Sequence, residues 1–378
     1  MLLGLLLWSM PALAVTTTCP GDINGDGISE DPNIVCRQFG AGDGYATMAD
    51  GQPIYTFGFN DVGGIPDNQV MSMGMLGANS PAPTLRFKEG QEMYLTLSNV
   101  GMAIRPDLFD PHTVHFHGFP NAASIYDGVP DSSIAIGMGS SLAYYYKAVE
   151  PGTYMFHCHV EVTEHMEMGM TGQAVIDPIQ NGTSFVDPGN GKAYTKFAYD
   201  DGDGTTGYDV DKLLQFIDFD RAFHDADEQI QPLPFAALKP SYPLLNGRGY
   251  PDTVKETPIL NQNGFASQRL DSVVRVTQGQ RVLLRLSNLS TSNYHTAQVL
   301  GIPMKVVGNG ARLLRSPAGK NLYYYTDSVT IGGGESADVL LDTTGVPTGT
   351  YYLYSRNLYD LNNMDEPVGG IMTEIIVQ

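Results

Sequence analysis

The chain has 378 residues, of which 42% are hydrophobic and 10% aromatic, so it is long and apolar enough to bury the cores of two domains. Its 41 acidic residues outnumber its 21 basic residues, and the formal net charge of -20 argues against nucleic acid or an anionic membrane surface as a partner. The 43 glycines and 24 prolines interrupt short apolar runs, which predicts a turn-rich, all-β protein.

The chain begins with the apolar run MLLGLLLWSMPALA, which ends in the small-residue pattern Ala12-Leu13-Ala14. This pattern is typical of an export signal, so residues 1–14 are expected to be removed and the mature chain to begin near Val15. The run is too short for a membrane-spanning helix, and no later segment is apolar enough to be one. We therefore expect a periplasmic or secreted protein, in a compartment where disulfides persist.

Residues 15–44 form an acidic N-terminal segment that contains two of the three cysteines. Cys19 and Cys36 flank one acidic loop and can pair with each other, which leaves Cys158 alone. A single remaining cysteine among histidines is either a reactive thiol or a metal ligand, and its surroundings favour the metal.

The loop between Cys19 and Cys36 reads GDINGDGISEDPN, with alternating Asp22, Asn24 and Asp26. This spacing resembles the first half of an EF-hand-type calcium loop. Position twelve would be Asn33 instead of a bidentate Glu, so the match is incomplete. Two interpretations remain open, a calcium site and an Asx-rich surface loop.

From about residue 45 the sequence alternates as short strands do, separated by Gly, Pro or Asn. The predicted strands are Thr84–Phe87, Glu92–Ser98, Thr113–His117, Leu142–Ala148 and Gly152–His157.

The pattern of the first half returns later in the chain. PTLRFKEGQEMYLTLSNV (83–100) is echoed by DSVVRVTQGQRVLLRLSNL (271–289), and GTYMFHCHV (152–160) by GTYYLYSRN (349–357). Two tandem β-sandwich domains are therefore predicted, at residues 45–178 and 195–378, with a linker around 178–193.

The second copy lacks the chemistry of the first. Tyr354, Ser355 and Arg356 stand where the first copy has His157, Cys158 and His159. HTAQVLG stands where the first copy has HTVHFHG, so only His295 is kept. The second domain is expected to have retained the fold and lost the metal site.

Six of the eight histidines fall between residues 112 and 165, in two strand-like clusters, which indicates metal binding. In HFH and in HCH the two histidines lie two residues apart, so they share one face of a strand while Cys158 points to the opposite face. His112 precedes this region, and His165 and Met170 follow on a returning loop. One Cys, two His and a weak axial Met form a blue-copper ligand set. The outward face carries a second set of four imidazoles, from His115, His117, His157 and His159.

The stretch HTVHFHGFPN, followed by YDGVPDSSIAIGMGSS and YYYKAVEPGTYMFHCHVEVTEHMEMGM, resembles the copper-bearing domain of multicopper oxidases. The HFHG, DGVP and GTYxxHxH elements resemble the first domain of that family, and H-x-x-H-x-H-G with HCH…H…GM resembles its blue-copper domain. The resemblance covers most of the mature chain, and the combination is similar to two-domain members with type 1 copper in the N-terminal domain. It implies two cupredoxin-like Greek-key domains, a periplasmic location and a homotrimer.

Carried over by position, the resemblance assigns roles to both histidine groups. The matches to type 1 copper ligands are His112, Cys158, His165 and Met170. The matches to the half of a trinuclear copper centre that one domain supplies are His115, His117, His157 and His159.

This chain departs from the family pattern in two respects. His165 follows Cys158 by seven residues, whereas the usual spacing is five, so the ligand loop is longer. A full family set needs ten histidines and this chain has eight. The corresponding positions of the second domain hold Gln298, Leu300, Tyr354 and Arg356.

The layout also resembles copper nitrite reductases, which are trimers with type 2 copper at the subunit interface. Their H-x-x-D-x-H pattern is similar to the stretch from His112 to His117, with His115 in place of the catalytic Asp. His117 and His157 would then be two type 2 ligands. The third would come from a neighbouring chain, where His295 is the candidate, although by internal alignment His295 matches the type 1 position and is also explained as a vestigial ligand left in a core.

Two further groups are given structural interpretations. His224, in an acidic segment, is expected at a surface or interface. Met71, Met73 and Met75 alternate in a predicted strand and are expected to pack in a core, although they have the chemistry to bind Cu(I).

Three functions fit these patterns. The first is an exported copper oxidoreductase of multicopper-oxidase type, which passes electrons from a donor protein or small reductant through type 1 copper to a second histidine-bound copper centre. The second is a type 1/type 2 copper reductase of the nitrite-reducing kind. The third is a non-catalytic electron carrier or copper-binding protein. The resemblance favours the first, and the histidine count favours the other two.

Overall fold

A computed structural model describes residues 17–120 and 122–378, in which strands predominate and two β-sandwiches follow one another along the chain. The all-β, two-sandwich prediction is confirmed. The predicted export signal, residues 1–14, lies outside the described residues. No helix in the described part of the chain has the length and apolarity needed to cross a membrane.

The first domain is built from two sheets and two short helices. Its strands are β1 (Ile34–Thr47), β2 (Pro53–Asp61), β3 (Leu85–Lys88), β4 (Glu92–Gly101), β5 (His115–His117), β6 (Ser141–Lys147), β7 (Gly152–His157) and β8 (Thr171–Asp177). Its helices are α1 (Asp67–Met73) and α2 (Val162–Glu167), with a 3₁₀ turn at Ser124–Tyr126.

The two sheets of the first domain have the orders β2-β1-β4-β6 and β3-β8-β7-β5. Apolar side chains of both sheets, such as Phe39, Leu95 and Phe156, form one buried cluster between them. In β5 the alternation is visible directly, because Phe116 is buried while His115 and His117 are half-buried on the other face. The sheet therefore turns aromatic rings into the core and imidazoles outward.

A β-hairpin and the second domain follow. The hairpin strands are β9 (Phe185–Val186) and β10 (Ala193–Tyr194). The later strands are β11 (Val210–Phe219), β12 (Tyr242–Leu245), β13 (Ile259–Leu260), β14 (Ala266–Gln268), β15 (Val274–Val276), β16 (Arg281–Asn288), β17 (His295–Val299), β18 (Met304–Asn309), β19 (Arg312–Leu313), β20 (Tyr324–Thr326), β21 (Ser328–Ile331), β22 (Ser336–Asp342), β23 (Gly349–Ser355) and β24 (Met372–Val377). The helix α3 (Arg221–Glu228) and 3₁₀ turns at Phe235–Ala237, Asp252–Val254 and Leu358–Asp360 complete it.

The strand pairings of the second domain repeat those of the first. The parallel pair β1–β4 corresponds to β11–β16, and the antiparallel pair β4–β6 corresponds to β16–β22. In the other sheet β5–β7–β8–β3 corresponds to β17–β23–β24–β15. The duplication seen in the sequence is thus also a duplication of strand topology. Strand residues of the second domain can therefore be compared with the residues at the corresponding positions of the first.

Several local predictions differ from the structure. The predicted first-domain start at residue 45 falls within β1, which begins at Ile34 and lies centrally in its sheet. Met71 and Met73 lie in or at the end of helix α1 instead of a strand, and Met73 is exposed. The predicted returning loop after Cys158 contains helix α2, which the extra ligand-loop residues make possible.

Cys19 and Cys36 form a disulfide, with their Cα atoms 5.6 Å apart. Because Cys36 lies in β1, this bond fastens the acidic N-terminal loop to the first sandwich.

The two domains share a buried polar contact. Arg285 of β16 is fully buried, and its guanidinium lies 3.2 Å from the Thr153 hydroxyl and 3.4 Å from an Asp211 carboxylate oxygen. Asp338 of β22 accepts the Thr153 hydroxyl at 2.6 Å. The Thr153 hydroxyl of the first sandwich is therefore held by buried charged groups of the second, Arg285 and Asp338.

His224 is not at the molecular surface. It is fully buried in α3, where its Nδ1 atom lies in hydrogen-bonding contact with the Tyr55 carbonyl of β2. The acidic sequence around it suggested an exposed position, but α3 packs Phe223, His224 and also Asp227 inward.

Candidate metal centres

Four predicted ligands are fully buried in the first sandwich, and donor atoms of the first three lie within 4.8 Å of one another: His112, Cys158, His165 and Met170. We call them the thiol cluster. The Cys158 Sγ atom lies 3.1 Å from His165 Nδ1 and 3.8 Å from His112 Nδ1. The two imidazole rings are 5.0 Å apart between centroids. The distance from Cys158 Sγ to His112 Nδ1 is too long for an effective hydrogen bond. The sulfur and the two ring nitrogens therefore surround a common point.

Backbone contacts hold the thiol cluster in place. The Cys158 N–H donates to the Met170 carbonyl at 3.1 Å, and the Met170 N–H donates to the His165 carbonyl at 2.9 Å. His112 is paired with Ile136 through an isolated β-bridge. The Thr113 N–H donates to Cys158 Sγ at 3.4 Å, a contact typical of a sulfur that carries negative charge. The sequence motif therefore becomes a site because α2 returns the chain across the end of β7.

Burial sets the protonation states of this cluster. It raises the pKa of the Cys158 thiol to about 11, so only a bound cation would keep a thiolate there at neutral pH. Burial also lowers the pKa of His165 to about 4 and that of His112 well below its ordinary value, so both rings are neutral and have lone pairs to offer. One soft thiolate, two imidazoles and a thioether in a dry pocket fit copper.

A second group of four imidazoles, which we call the tetrahistidine face, lies on the outer side of the same strands: His115, His117, His157 and His159. In the antiparallel pair β5–β7, His115 stands opposite His157. His117 Nε2 and His157 Nε2 are 2.9 Å apart. The ring of His115 lies 5.0 Å from that of His159. Nitrogen atoms of His115, His117 and His157 lie within 4.8 Å of one another, which is compatible with one shared ion.

Burial keeps two rings of the tetrahistidine face, those of His117 and His157, neutral. Burial lowers the pKa of His157 to about 3 and that of His117 to about 4. His157 Nδ1 lies 2.8 Å from the Cys158 carbonyl, and His115 Nδ1 lies 2.6 Å from the Asp127 carbonyl. Each carbonyl fixes its ring with Nδ1 as donor, which leaves Nε2 free to bind a metal.

The tetrahistidine face borders a cavity of about 290 Å³ between the two domains. The first domain contributes His117, His157 and His159, and the second domain contributes Ser290, Thr291 and Gly334. The second domain therefore supplies a wall of the cavity but, as the sequence indicated, no imidazole.

His295 is fully buried, and both of its ring nitrogens are engaged by side chains of the same chain. These contacts lie within one chain and give no support to an interface ligand, so a role of His295 at a subunit interface stays a prediction. The alternative, a former ligand position retained in a core, agrees with the structure.

The N-terminal loop carries the three predicted calcium ligands on turns. Asp22 accepts the Gly25 N–H at 2.7 Å and the Gly27 N–H at 2.9 Å. Asn24 accepts the Asp26 N–H at 2.9 Å, and Asp26 accepts the Ile28 N–H at 2.9 Å. These contacts describe an Asx-rich loop, and calcium binding there stays a prediction.

The sequence patterns missed two carboxylates beside the thiol cluster. Oxygen atoms of Asp110 and Glu161 lie within 4.8 Å of each other and of a His165 ring nitrogen. Asp110 precedes His112 by two residues, but Glu161 is brought back only by the left-handed turn that begins α2, at φ 42°. Proximity in the sequence was a signal for both, since Glu161 follows Cys158 by three residues.

Comparison with known proteins supports the metal chemistry of these clusters. Two family profiles, both described as multicopper oxidase, match residues 64–181 and 224–378, together well over half of the chain. A multicopper oxidase from Talaromyces pinophilus is 32% identical over 120 residues, which are 31% of this chain and 18% of that protein. The aligned stretch thus covers less than a fifth of that curated relative.

Solved structures share the fold across nearly the whole chain. The blue copper oxidase from Nitrosomonas europaea superimposes with a TM-score of 0.66 at 22% identity, covering 90% of this chain and 86% of that one. The copper nitrite reductase from Nitrosomonas europaea gives a TM-score of 0.60 at 16% identity, covering 91% and 94%. At these identities the likeness extends to the fold alone.

Proposed function

The chain belongs to the multicopper oxidase family, and we propose that it is an exported, copper-dependent oxidoreductase with two copper centres. A redox protein or a small-molecule reductant is the proposed electron donor, and the proposed assembly is a homotrimer. The thiol cluster would hold type 1 copper, and the tetrahistidine face would hold the second centre. Copper bound at these positions supplies one-electron redox chemistry.

One observation carries this proposal. Cys158 belongs to the thiol cluster, while its covalent neighbours His157 and His159 belong to the tetrahistidine face. The two sites are therefore joined by a few covalent bonds through a single stretch of backbone. The His157 ring is further tied to that stretch by its contact with the Cys158 carbonyl at 2.8 Å. An electron carrier with one centre would have no use for this arrangement.

The residues of the chain have distinct tasks in this function. Met168 and the aromatic core around the thiol cluster exclude water, since Phe57 packs edge-on against His165 with ring centroids 5.7 Å apart. The Asp127 carbonyl orients His115. The cavity between the domains gives a small acceptor access to the tetrahistidine face.

A second candidate, a type 1/type 2 reductase, is favoured by a separate observation. Within one chain three imidazoles, those of His115, His117 and His157, converge closely enough for one ion. The second domain adds none to the cavity, so a three-copper cluster lacks half of its usual ligands. A single type 2 copper needs only these three.

Copper analysis combined with electron paramagnetic resonance on the copper-loaded protein distinguishes the candidates. We expect at least two coppers per chain, one of them with the narrow hyperfine splitting of type 1 copper. Two coppers with an added type 2 signal select the reductase, and three or more with a coupled, silent pair select the oxidase. One copper per chain with a type 1 signal alone would refute both and leave the carrier.

A paired substitution assigns the second centre to its residues. His117→Ala combined with His157→Ala should remove the second centre and keep the type 1 signal. The matched control is Leu300→Ala with Tyr354→Phe at the corresponding positions of the second domain, which should keep both. Loss of copper from both centres in the control would contradict the assignment.

A further inference from the structure

The second domain retains the backbone frame of the thiol cluster without its ligands. Ser355 N–H donates to the Ile371 carbonyl at 3.0 Å, as Cys158 N–H does to Met170. His295 pairs with Ile331 across the sheet, as His112 pairs with Ile136. Ser355 and Ile371 therefore occupy the positions of the sulfur ligands Cys158 and Met170, and His295 occupies that of His112.

The vacated frame is filled by two carboxylates. His295 Nδ1 lies 3.1 Å from Asp360 Oδ2, and His295 Nε2 lies 3.2 Å from Asp218 Oδ2. The Ser355 hydroxyl donates to Asp360 Oδ2 at 2.6 Å. The carboxylates lie on opposite sides of the ring, so these donors do not converge on one point and do not form a metal site.

The geometry determines the protonation state of His295. An ionised carboxylate only accepts hydrogen bonds, so each ring nitrogen that faces one must carry a proton. His295 with two such partners is an imidazolium between two aspartates, buried from water. Burial alone would lower the pKa of His295, but the hydrogen bonds and charges of Asp218 and Asp360 outweigh it and raise the pKa to about 9.

Other elements packed around His295 add few charges. Phe216 of β11 stacks on its ring at 5.5 Å between centroids. Arg356 and Tyr359 lie near the same strand end, but their side chains are exposed. Glu167 of α2 and Asp220 lie near Asp218, and the charge of Asp218 acts on Glu167.

The same ring is bonded to the wall of the copper cavity. Ser290 Oγ lies 2.9 Å from His295 Nε2. Ser290 and Thr291 line the cavity beside His117, His157 and His159. The Thr291 hydroxyl in turn donates to Glu167 of α2 at 2.9 Å, so this segment also contacts the ligand loop of the first domain.

We propose that the former ligand frame of the second domain has become a charge clamp, in which protonated His295, held by Asp218 and Asp360, positions the Ser290–Thr291 wall of the copper cavity. His295 is thus a positioning residue and not a metal ligand. The positioning of the cavity wall by His295 rests on the proposed function, because it concerns the copper cavity. The ion pairs of His295 with Asp218 and Asp360 do not depend on that function.

The sign of the pH dependence follows from the raised pKa. The clamp contributes its full stability below the ordinary imidazole pKa of about 6.5 and loses it as the pH rises to about 9. Over this window the unfolding equilibrium constant should rise about tenfold per pH unit from this group alone. Carboxyl groups with raised pKa values, such as Glu167, also make the free energy of unfolding depend on pH. The measured quantity is therefore the difference in this pH dependence between the wild type and each variant.

Urea unfolding of the copper-loaded protein, followed by circular dichroism between pH 6 and 10, tests the clamp. His295→Gln should lack the tenfold-per-unit component, and Asp360→Asn should reduce it. The matched control is His224→Gln, at another buried histidine of the second domain, which should keep the wild-type slope. Equal slopes in the wild type and His295→Gln would overturn the proposal.

Two measurements do not depend on the stability of the variants. Ring ¹⁵N resonances of the ascorbate-reduced wild type at pH 8 should show His295 with both nitrogens protonated, and a neutral ring would overturn the clamp. Amide exchange at residues 289–291 should be about tenfold faster above pH 9.5 than expected from the intrinsic pH effect, because the released ring no longer orders the segment. Unchanged protection there would overturn the positioning role.

The clamp and the proposed function fail in different ways. If the protein binds only one copper, the proposed function fails, while the slopes and the ¹⁵N shifts still report the clamp. If the second centre is present and the slopes are equal, the clamp fails and the function stands.

Discussion

Single residues distinguish the thiol cluster from the corresponding positions of the second domain. Cys158 and Ser355 occupy corresponding positions and make the same backbone hydrogen bond, yet only the first offers a polarisable sulfur. Asp360 accepts the Ser355 hydroxyl and faces His295 Nδ1, so its carboxylate is paired within the second domain. The two domains therefore share a fold at this position, although one has the Cys158 sulfur and the other has the Ser355 oxygen. The serine hydroxyl pairs with Asp360, which also faces His295.

Replacing Cys158 with Ser should abolish the blue absorption and the type 1 resonance signal, because an alcohol at this buried position does not ionise to a soft ligand. Visible absorption and electron paramagnetic resonance measure the effect. Ser355→Ala is the matched control and should remain blue. A blue Cys158→Ser protein would show that the thiol cluster is not the type 1 site.

At the scale of elements, turns and strand ends determine how accurately the imidazoles are held. The Asp127 carbonyl that orients His115 lies directly before Gly128, whose φ is +80°. A Cβ atom at Gly128 would lie 2.2 Å from the Val114 carbonyl oxygen on the chain leading into β5. The close approach of this turn to β5 thus requires glycine.

Gly128→Ala should destabilise the protein by more than about 2 kcal/mol, since a left-handed conformation and a backbone clash are combined. It should also alter the resonance signal of the second copper centre, because the Asp127 carbonyl moves. Gly139 has a φ of +76° and no atom within 4 Å of its Cβ position, so Gly139→Ala should cost only the conformational part. Thermal unfolding and resonance spectra test this, and similar losses in both variants would contradict it.

Arg285 tests the polar contact between β16 and the first domain. Arg285→Met should reduce the free energy of unfolding by about 3–5 kcal/mol, because it leaves buried carboxylates unpaired. Arg275→Met removes an exposed arginine whose partner Glu256 is 2.6 Å away, and should leave the free energy of unfolding almost unchanged because water screens this pair. Urea unfolding measures both values, and a loss below about 1 kcal/mol for Arg285→Met would show that water reaches this contact.

At the scale of the whole molecule, the tetrahistidine face has histidines on one side only. In the described residues the second domain lines the same cavity with Ser290, Thr291 and Gly334, none of which is a strong copper ligand. The proposed trimer would set a second copy against the exposed part of this face. The oligomeric state is therefore linked to the second centre more closely than to the first.

Light scattering coupled to size exclusion should give about three times the mass of the mature chain, which is somewhat below the 40.9 kDa of the full chain. If the second centre depends on assembly, dilution to single chains should remove its resonance signal and leave the type 1 signal intact. The copper-free protein is the control for assembly by itself. A single-chain mass in a preparation that carries both centres would contradict this prediction.

The sequence by itself determined the ligands and the duplicated strand pattern. Strands alternate with a period of two, so HFH and HCH had to turn two imidazoles to one face and Cys158 to the other. The loss of ligands from the second copy was equally visible, because it needs only an alignment of the chain with itself. These features depend on local geometry, which the order of residues fixes.

Only the tertiary structure decided what surrounds His295 in the second domain and what lies around the thiol cluster in the first. Asp218, Ser290 and Asp360 come from separate segments and meet His295 only when both sheets are packed. The burial of His224 and the return of Glu161 toward His165 likewise depend on how α3 and α2 dock. Burial and long-range pairing set these protonation states and contacts, and neither is a property of the residues taken in order.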